Sequence, residues 1–166
     1  AQIWYADADN DGYGDSTRPQ SACSTPNGYV SNSTDCNDLQ ASINPLATEL
    51  CDGLDNDCDG QVDENATDAQ SWYVDVDADG YGMGTATLSC QTLTGYSTQN
   101  GDCNDNSYGV NPGATEVCDS VDNDCDGIID PSTSADATTW TQDNDQDNYG
   151  NDSVSFRSCV GRAGYS

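Results

Sequence analysis

Carboxylates at every second position are the residues of this sequence best placed to do chemistry. Asp7, Asp9 and Asp11 alternate with Ala8 and Asn10 and run into Gly12-Tyr13-Gly14-Asp15. Alternate side chains of a tight loop point inward, and a glycine turn presents the next carbonyl, here that of Tyr13. Such a set of hard oxygens, with Asp15 behind it, is the beginning of a calcium loop, because calcium takes six to eight oxygen ligands. The pattern returns as Asp75, Asp77, Asp79, Gly80 and Tyr81, with Met83 where Asp15 stood. It returns again as Asp143, Asp145, Asp147, Asn148 and Tyr149. Asn148 replaces the glycine, and asparagine is the side chain best tolerated at positive φ.

A second loop type reads Asp55, Asp57, Asp59, Gly60, Gln61, Asp63, with the copy Asp122, Asp124, Asp126, Gly127, Ile128, Asp130. Gln61 and Ile128 hold the position that lends a carbonyl. A third type is incomplete by itself: Asp35-Cys36-Asn37-Asp38 with Asn44, and Asp102-Cys103-Asn104-Asp105 with Asn111. None of these is an EF-hand. The position that needs a bidentate glutamate is Arg18 after the Asp7 loop and Ala66 after the Asp55 loop, and no apolar helix flanks either. We therefore expect the Asp35 box with Glu49, and the Asp102 box with Glu116, to donate to neighbouring loops. The competing reading, solvated acidic turns without metal, accounts for one such loop better than for five in register. The tyrosines after the first-type turns, and the three tryptophans, read as local packing rather than carbohydrate platforms.

Stepping outward, the loops belong to a repeat. Trp4, Trp72 and Trp140 are 68 residues apart each time. Repeat 1 spans residues 1–71, repeat 2 spans 72–139, and 140–166 is the start of a third, which stops before an Asp-Cys-Asn-Asp box. This predicts a longer array or completion by a further copy, with Cys159 lacking the partner its counterparts have. Each repeat opens on a short aromatic strand, Ile3-Trp4-Tyr5 in the first. A polar stretch and the second loop follow, and Ser/Thr-rich connectors separate the repeats. Helical periodicity is missing apart from one short turn expected at 47–50. The expected fold class is small, irregular, loop-rich tandem calcium-binding modules with short β-strands and little helix, stapled by disulfides into an elongated array.

Composition bounds the function. Thirty acidic residues against three arginines, with no histidine, give a net charge of −27. Nucleic acid and anionic membrane need a basic face and are excluded as partners, and no apolar run reaches membrane-span length. Leu, Ile, Val and Phe together make only 20 of 166 residues, a composition that by itself predicts disorder. Nine cysteines offer the alternative of disulfides and metal in place of a core. They also point to an oxidising, extracellular or cell-surface setting. Local loop closure favours Cys51–Cys58 with Cys23–Cys36, and Cys118–Cys125 with Cys90–Cys103. Zinc needs closely paired cysteines, and a catalytic cysteine needs a base; neither is found. Carboxylates that recur in every repeat at ligand spacing argue against an enzyme. Asn32, Asn65 and Asn151 open N-x-S/T sequences and are candidate glycosylation sites.

The run from Asp35-Cys-Asn-Asp through Asn44-Pro45, Ala47-Thr48-Glu49-Leu50-Cys51-Asp52-Gly53 and Asp55-Asn-Asp-Cys-Asp-Gly to Asp63-Glu64 resembles the MopE-type metal-binding repeat of bacterial surface and secreted proteins. Residues 102–130 resemble it again, with Asn111-Pro-Gly-Ala-Thr-Glu116. The Asp7 and Asp75 loops resemble thrombospondin type 3 calcium repeats. The resemblance implies a secreted or surface-attached bacterial protein built as an all-loop, calcium-threaded module, with Arg18 and Pro131 as local departures. It also implies copper, which favours imidazole, thioether and thiolate; this chain offers no histidine and one methionine. The function expected first is a calcium-stabilised stalk or filament. An adhesin-type module for carbohydrate or protein, and a copper-binding surface protein, are the alternatives.

Overall fold

The computed structural model describes residues 1–166, the side chain of Asp152 excepted. There is no helix among the described residues, the stretch 47–50 included, and so none long and apolar enough to cross a membrane. The strands are β1 (Gln2–Ala6), β2 (Asp15–Ala22), β3 (Tyr29–Val30), β4 (Gln70–Val74), β5 (Met83–Ser89), β6 (Tyr96–Ser97), β7 (Thr138–Gln142) and β8 (Asn151–Ser158). They form three small sheets, ordered β2-β1-β3, β5-β4-β6 and β7-β8. In the first and third, an aromatic strand with its tryptophan runs antiparallel to the strand after the acidic loop, so the loop is the hairpin's own connection; in the second, β4 with Trp72 likewise neighbours β5.

β2 was not legible in its composition. Asp-Ser-Thr-Arg-Pro-Gln-Ser-Ala has few strand formers, and Pro19 cannot donate to a ladder. It forms because β2 lies at the sheet edge, where Pro19 pairs with Tyr5 and its missing N–H is harmless. The register slips between Tyr5 and Ala6, and at the same place, Thr141–Gln142, in the third hairpin. These bulges turn the strand end into the acidic loop.

The chain divides into two compact units: residues 1–70 with 88–91, and 71–87 with 92–166. Packing therefore does not follow the sequence period at 88–91. The reason is covalent. Cys36 pairs with Cys58 and Cys51 with Cys90 in the first unit; Cys103 pairs with Cys125 and Cys118 with Cys159 in the second. The expected bridges Cys51–Cys58, Cys118–Cys125, Cys23–Cys36 and Cys90–Cys103 do not form. Shortest-loop closure fails because each short hairpin turns its cysteine toward the preceding repeat's second half. Cys159, expected to lack a partner, has Cys118, and among the described residues Cys23 is the one free cysteine, exposed.

The apolar core is sparse. Ala6, Ile43, Ala66, Val110 and Ala137 are the buried hydrophobic residues, while Trp4, Trp72 and Trp140 are half-buried. Buried polar groups outnumber them, with Asp7, Asp35, Asp38, Glu49, Asn56 and Ser134 among them. A core of this kind must be held by hydrogen bonds, disulfides or ions.

Candidate metal centres

The first loop is built by its own carboxylates. Asp11 Oδ1 accepts the Tyr13 amide at 2.8 Å, and Asp9 Oδ1 accepts the Asp11 amide at 3.2 Å. The fourth position of all five complete loops is left-handed: Asn10, Cys58, Ala78, Cys125 and Gln146 have φ between 58° and 64°. Asparagine tolerates this; alanine and cysteine do so at a cost of about 1 kcal/mol. The shared geometry is dictated by the loop, not by the residue at that place. Asn148 stands at φ 69° where Gly12 and Gly80 stand at 96°.

The Asp35 box closes on this loop. The Asp35 amide donates to the Gly14 carbonyl at 3.2 Å, and Asp38 Oδ1 accepts the Ala8 amide at 2.6 Å. In repeat 2 the Asp102 amide donates to Gly82 O at 3.2 Å, and Asp105 Oδ1 accepts the Val76 amide at 2.8 Å. Glycine is required at the contact, since a Cβ on Gly82 would lie 2.5 Å from Val74 O. As a result Asp7, Asp9 and Asp11 bring oxygens within 4.8 Å of one another, and so do Asp9, Asp35 and Asp38; Asp75, Asp77 and Asp105 do the same. Asp9 belongs to both of the first two groups and so links the loop to the box.

The electrostatics of these groups are those of an anion cage. Asp7 Oδ1, Asp9 Oδ2, Asp11 Oδ2 and Asp35 Oδ2 are buried without a hydrogen-bond partner, as are Asp75 Oδ1, Asp77 Oδ2 and Asp102 Oδ2. Burial, and then the charges of the neighbouring aspartates, push Asp9, Asp35 and Asp102 above the ordinary carboxylate range, against the backbone hydrogen bonds each accepts. One cation is already present: Arg18 Nη1 lies 3.1 Å from Asp38 Oδ2. In repeat 2 the matching position is Ala86.

The second loop type is organised differently. Glu49, buried, accepts the amides of Asn56 at 2.5 Å and Asp57 at 2.9 Å on Oε1, and of Asp63 at 2.8 Å on Oε2. Glu116 accepts the matching amides of Asn123, Asp124 and Asp130. Both glutamates therefore shape the loop as well as charging it. Asp55, Asp57 and Asp59 converge, as do Glu49, Asp57 and Glu64, each set within 4.8 Å. Glu64 Oε2 is buried without a partner, and burial raises its carboxyl above the ordinary range. Asp124, in the copy, is raised for the same reason and by Asp126. Pro131 stands where Glu64 does and brings no carboxylate.

Several expected ligands also make hydrogen bonds that shape the loops. Asp63 and Asp130 accept the amides at 52–53 and 119–120, tying down turns. Asp15 is occupied by the Thr17 amide and hydroxyl, which hold its carboxyl below the ordinary range. Asn44 accepts the Leu46 amide and donates to Ala41 O, away from the first loop, whereas Asn111 donates to Asp79 Oδ2 at 2.8 Å. Asn37 and Asn104 donate their amides to Asp35 and Asp102, and the Gln61 side chain donates to Asp59. Ile128 lends its amide to Asp126. In the third loop Asp143 is buried and accepts the Gln146 and Asn148 amides, but Asp145 and Asp147 are exposed. Tyr149 is 82% exposed, against the packing expected of it; Tyr13 and Tyr81 are half-buried. No box follows that loop within residues 148–166 to cover it.

Sequence reasoning passed over Asn56 and Asn123. Each is buried, accepts the amide of Leu50 or Val117 at 2.9 or 3.0 Å, and lends its carbonyl to Asn44 or Asn111. The signal was an asparagine repeated at the filler position of both copies. Asn32, singled out for glycosylation, instead accepts the Gly14 amide and donates to Gly12 O, bracing the turn. Asn65 and Asn151 are exposed.

Loops of this build define a class of protein: disulfide-stapled, loop-rich repeats that carry a metal-binding motif. Residues 35–64 and 102–131 each match a family model named Cu-binding MopE and described as "Putative metal-binding motif". No curated protein matches the chain, and no solved structure does.

Proposed function

We propose that this chain is a calcium-stabilised structural repeat of an extracellular or cell-surface stalk or filament, without catalytic activity. The observation that carries the reading is the set of buried, unpartnered oxygens on Asp7, Asp9, Asp11 and Asp35, in two carboxylate groups that meet at Asp9, the second including Asp38. Buried anionic oxygens without donors are destabilising by several kcal/mol, and a divalent cation among them reverses the sign. The donor set is all oxygen, which suits calcium. Copper favours softer ligands. Eight of the nine cysteines are in disulfides, and the one methionine, Met83, is exposed on β5. Ion binding would then be folding free energy, at the affinity of about 10⁻⁴ to 10⁻³ M usual for extracellular modules. Four disulfides agree with an oxidising setting. Sites repeated along the chain suit a scaffold that joins further copies of itself, with glycans at exposed asparagines such as Asn65 and Asn151.

Calorimetric titration of calcium into EDTA-treated, oxidised protein tests this, with thermal melting followed by near-UV circular dichroism. Binding with a rise in melting temperature is expected, and Asp38→Ala should lower the number of ions bound. Absence of binding in wild type would end the calcium reading. Unchanged stoichiometry in Asp38→Ala would remove the box from the site.

A further inference from the structure

Three cysteines occupy one structural position, and only two are bonded. Cys23 directly follows β2, Cys90 directly follows β5, and Cys159 directly follows β8. Cys90 takes Cys51 and Cys159 takes Cys118, in both cases the cysteine after the buried glutamate of the preceding repeat. The receiving geometry is the same twice. The Cα atoms are 5.2 Å apart in both bridges, and the received sulfur rests near a backbone carbonyl, Asp63 O at 3.6 Å or Pro131 O at 3.9 Å. The donor cysteine is also held alike. Cys51 N donates to Asp68 Oδ1 and Cys118 N to Asp136 Oδ1, both at 2.8 Å.

Around Cys90 the bridge is seated in a cleft of about 240 Å³ lined by Asp63, Asn65, Ala66, Ala69, Leu88 and Ser89. In the third hairpin Arg157 donates to the carbonyls of Ser134, Ala135 and Ala137, so the hairpin's end is hydrogen-bonded to the segment that precedes it. The first hairpin lacks such a bridge, its cysteine being free; its Trp4 Nε1 is buried without an acceptor, whereas Trp140 Nε1 donates to Ser158 O within its own hairpin.

We propose that Cys23 is the receiving half of a module-to-module staple, and that its partner is a Cys51-type cysteine, together with its 63–69-type loop, from another module of this kind. The rule that two copies obey supplies the ligand for the third. Bond formation joins two thiols as one disulfide and releases two protons and two electrons. A small-molecule disulfide such as oxidised glutathione accepts them and leaves as two thiols. The Cys23 sulfur is exposed, as attack on a mixed disulfide requires.

The test supplies the partner. Ala69-Gln70 matches Ala1-Gln2 in the repeat, so a copy of residues 35–68 can be fused directly to Ala1 of the full chain without a foreign junction. The fused protein is refolded in a glutathione redox buffer and mapped by mass spectrometry without reduction. The expected result is a peptide joining Cys23 to the added Cys51 counterpart, with Cys51–Cys90 and Cys118–Cys159 intact. In the Cys23→Ser form of the same protein the added thiol should be free to alkylation, while the other bridges form. Finding Cys23 alkylated or capped with glutathione in the fused protein while those bridges are intact would overturn the proposal. So would a bridge from the added cysteine to any other position.

Discussion

At the residue scale, the centre in repeat 1 differs from that in repeat 2 by one side chain. Arg18 neutralises part of Asp38, and Ala86 leaves Asp105 without such a partner. An arginine that is 56% exposed on its side chain contributes modestly to stability, about 0.2–1 kcal/mol. It also competes with any cation drawn to the cage. Arg18→Ala should therefore move two readouts in opposite directions. The metal-free melting temperature should fall slightly, and calcium affinity at repeat 1 should rise by roughly two- to fivefold. Calorimetry on wild type and variant checks both. A joint fall of stability and affinity would make Arg18 a purely structural residue.

At the element scale, the loop rather than the strand sets the geometry. Ala78 is held at φ 63° because the Asp75–Tyr81 turn needs a left-handed fourth residue. Ala78→Gly should stabilise the metal-free protein by roughly 0.5–1 kcal/mol, read as a shift in the denaturation midpoint at constant slope. The loops were legible from sequence because carboxylate spacing and turn glycines are local facts. Strand β1 was legible from Ile3-Trp4-Tyr5, and β2 was not, because edge pairing through Pro19 depends on a neighbour and not on propensity. The Asp35 box was visible as a ligand set. Its attachment through Gly14, and the pairing of Cys51 with Cys90, were hidden because both join parts far apart in sequence. Glu49 was singled out for its charge, while its hold on three backbone amides followed only from the fold.

At the scale of the whole molecule, repulsion among carboxylates sets the pH dependence. Asp9, Asp35 and Asp102 have folded values raised above the ordinary 3.8, chiefly by burial. A raised carboxyl stabilises the fold fully below its unfolded value and loses that contribution as pH rises through the folded value. Metal-free protein should thus melt at its highest temperature in acid and at progressively lower temperature as pH climbs out of the carboxylate range. Half-buried Asp15, lowered by its hydrogen bonds with Thr17, works weakly in the other direction. Calcium should reverse the trend, since its ligands must be ionised. Melting curves with EDTA and with calcium between about pH 3 and pH 7 span the range over which carboxylates ionise. Parallel curves would mean that the cages take no part in folding.

The offset of the disulfides from the sequence period has a mechanical consequence. Cys51–Cys90 arches over the connector at 65–71, and Cys118–Cys159 over that at 131–139. A protease that nicks either connector therefore cuts a strand already bypassed, as a brick wall laid in staggered courses survives a crack along one joint. The severed pieces stay in one covalent body, and only reducing conditions would let them part.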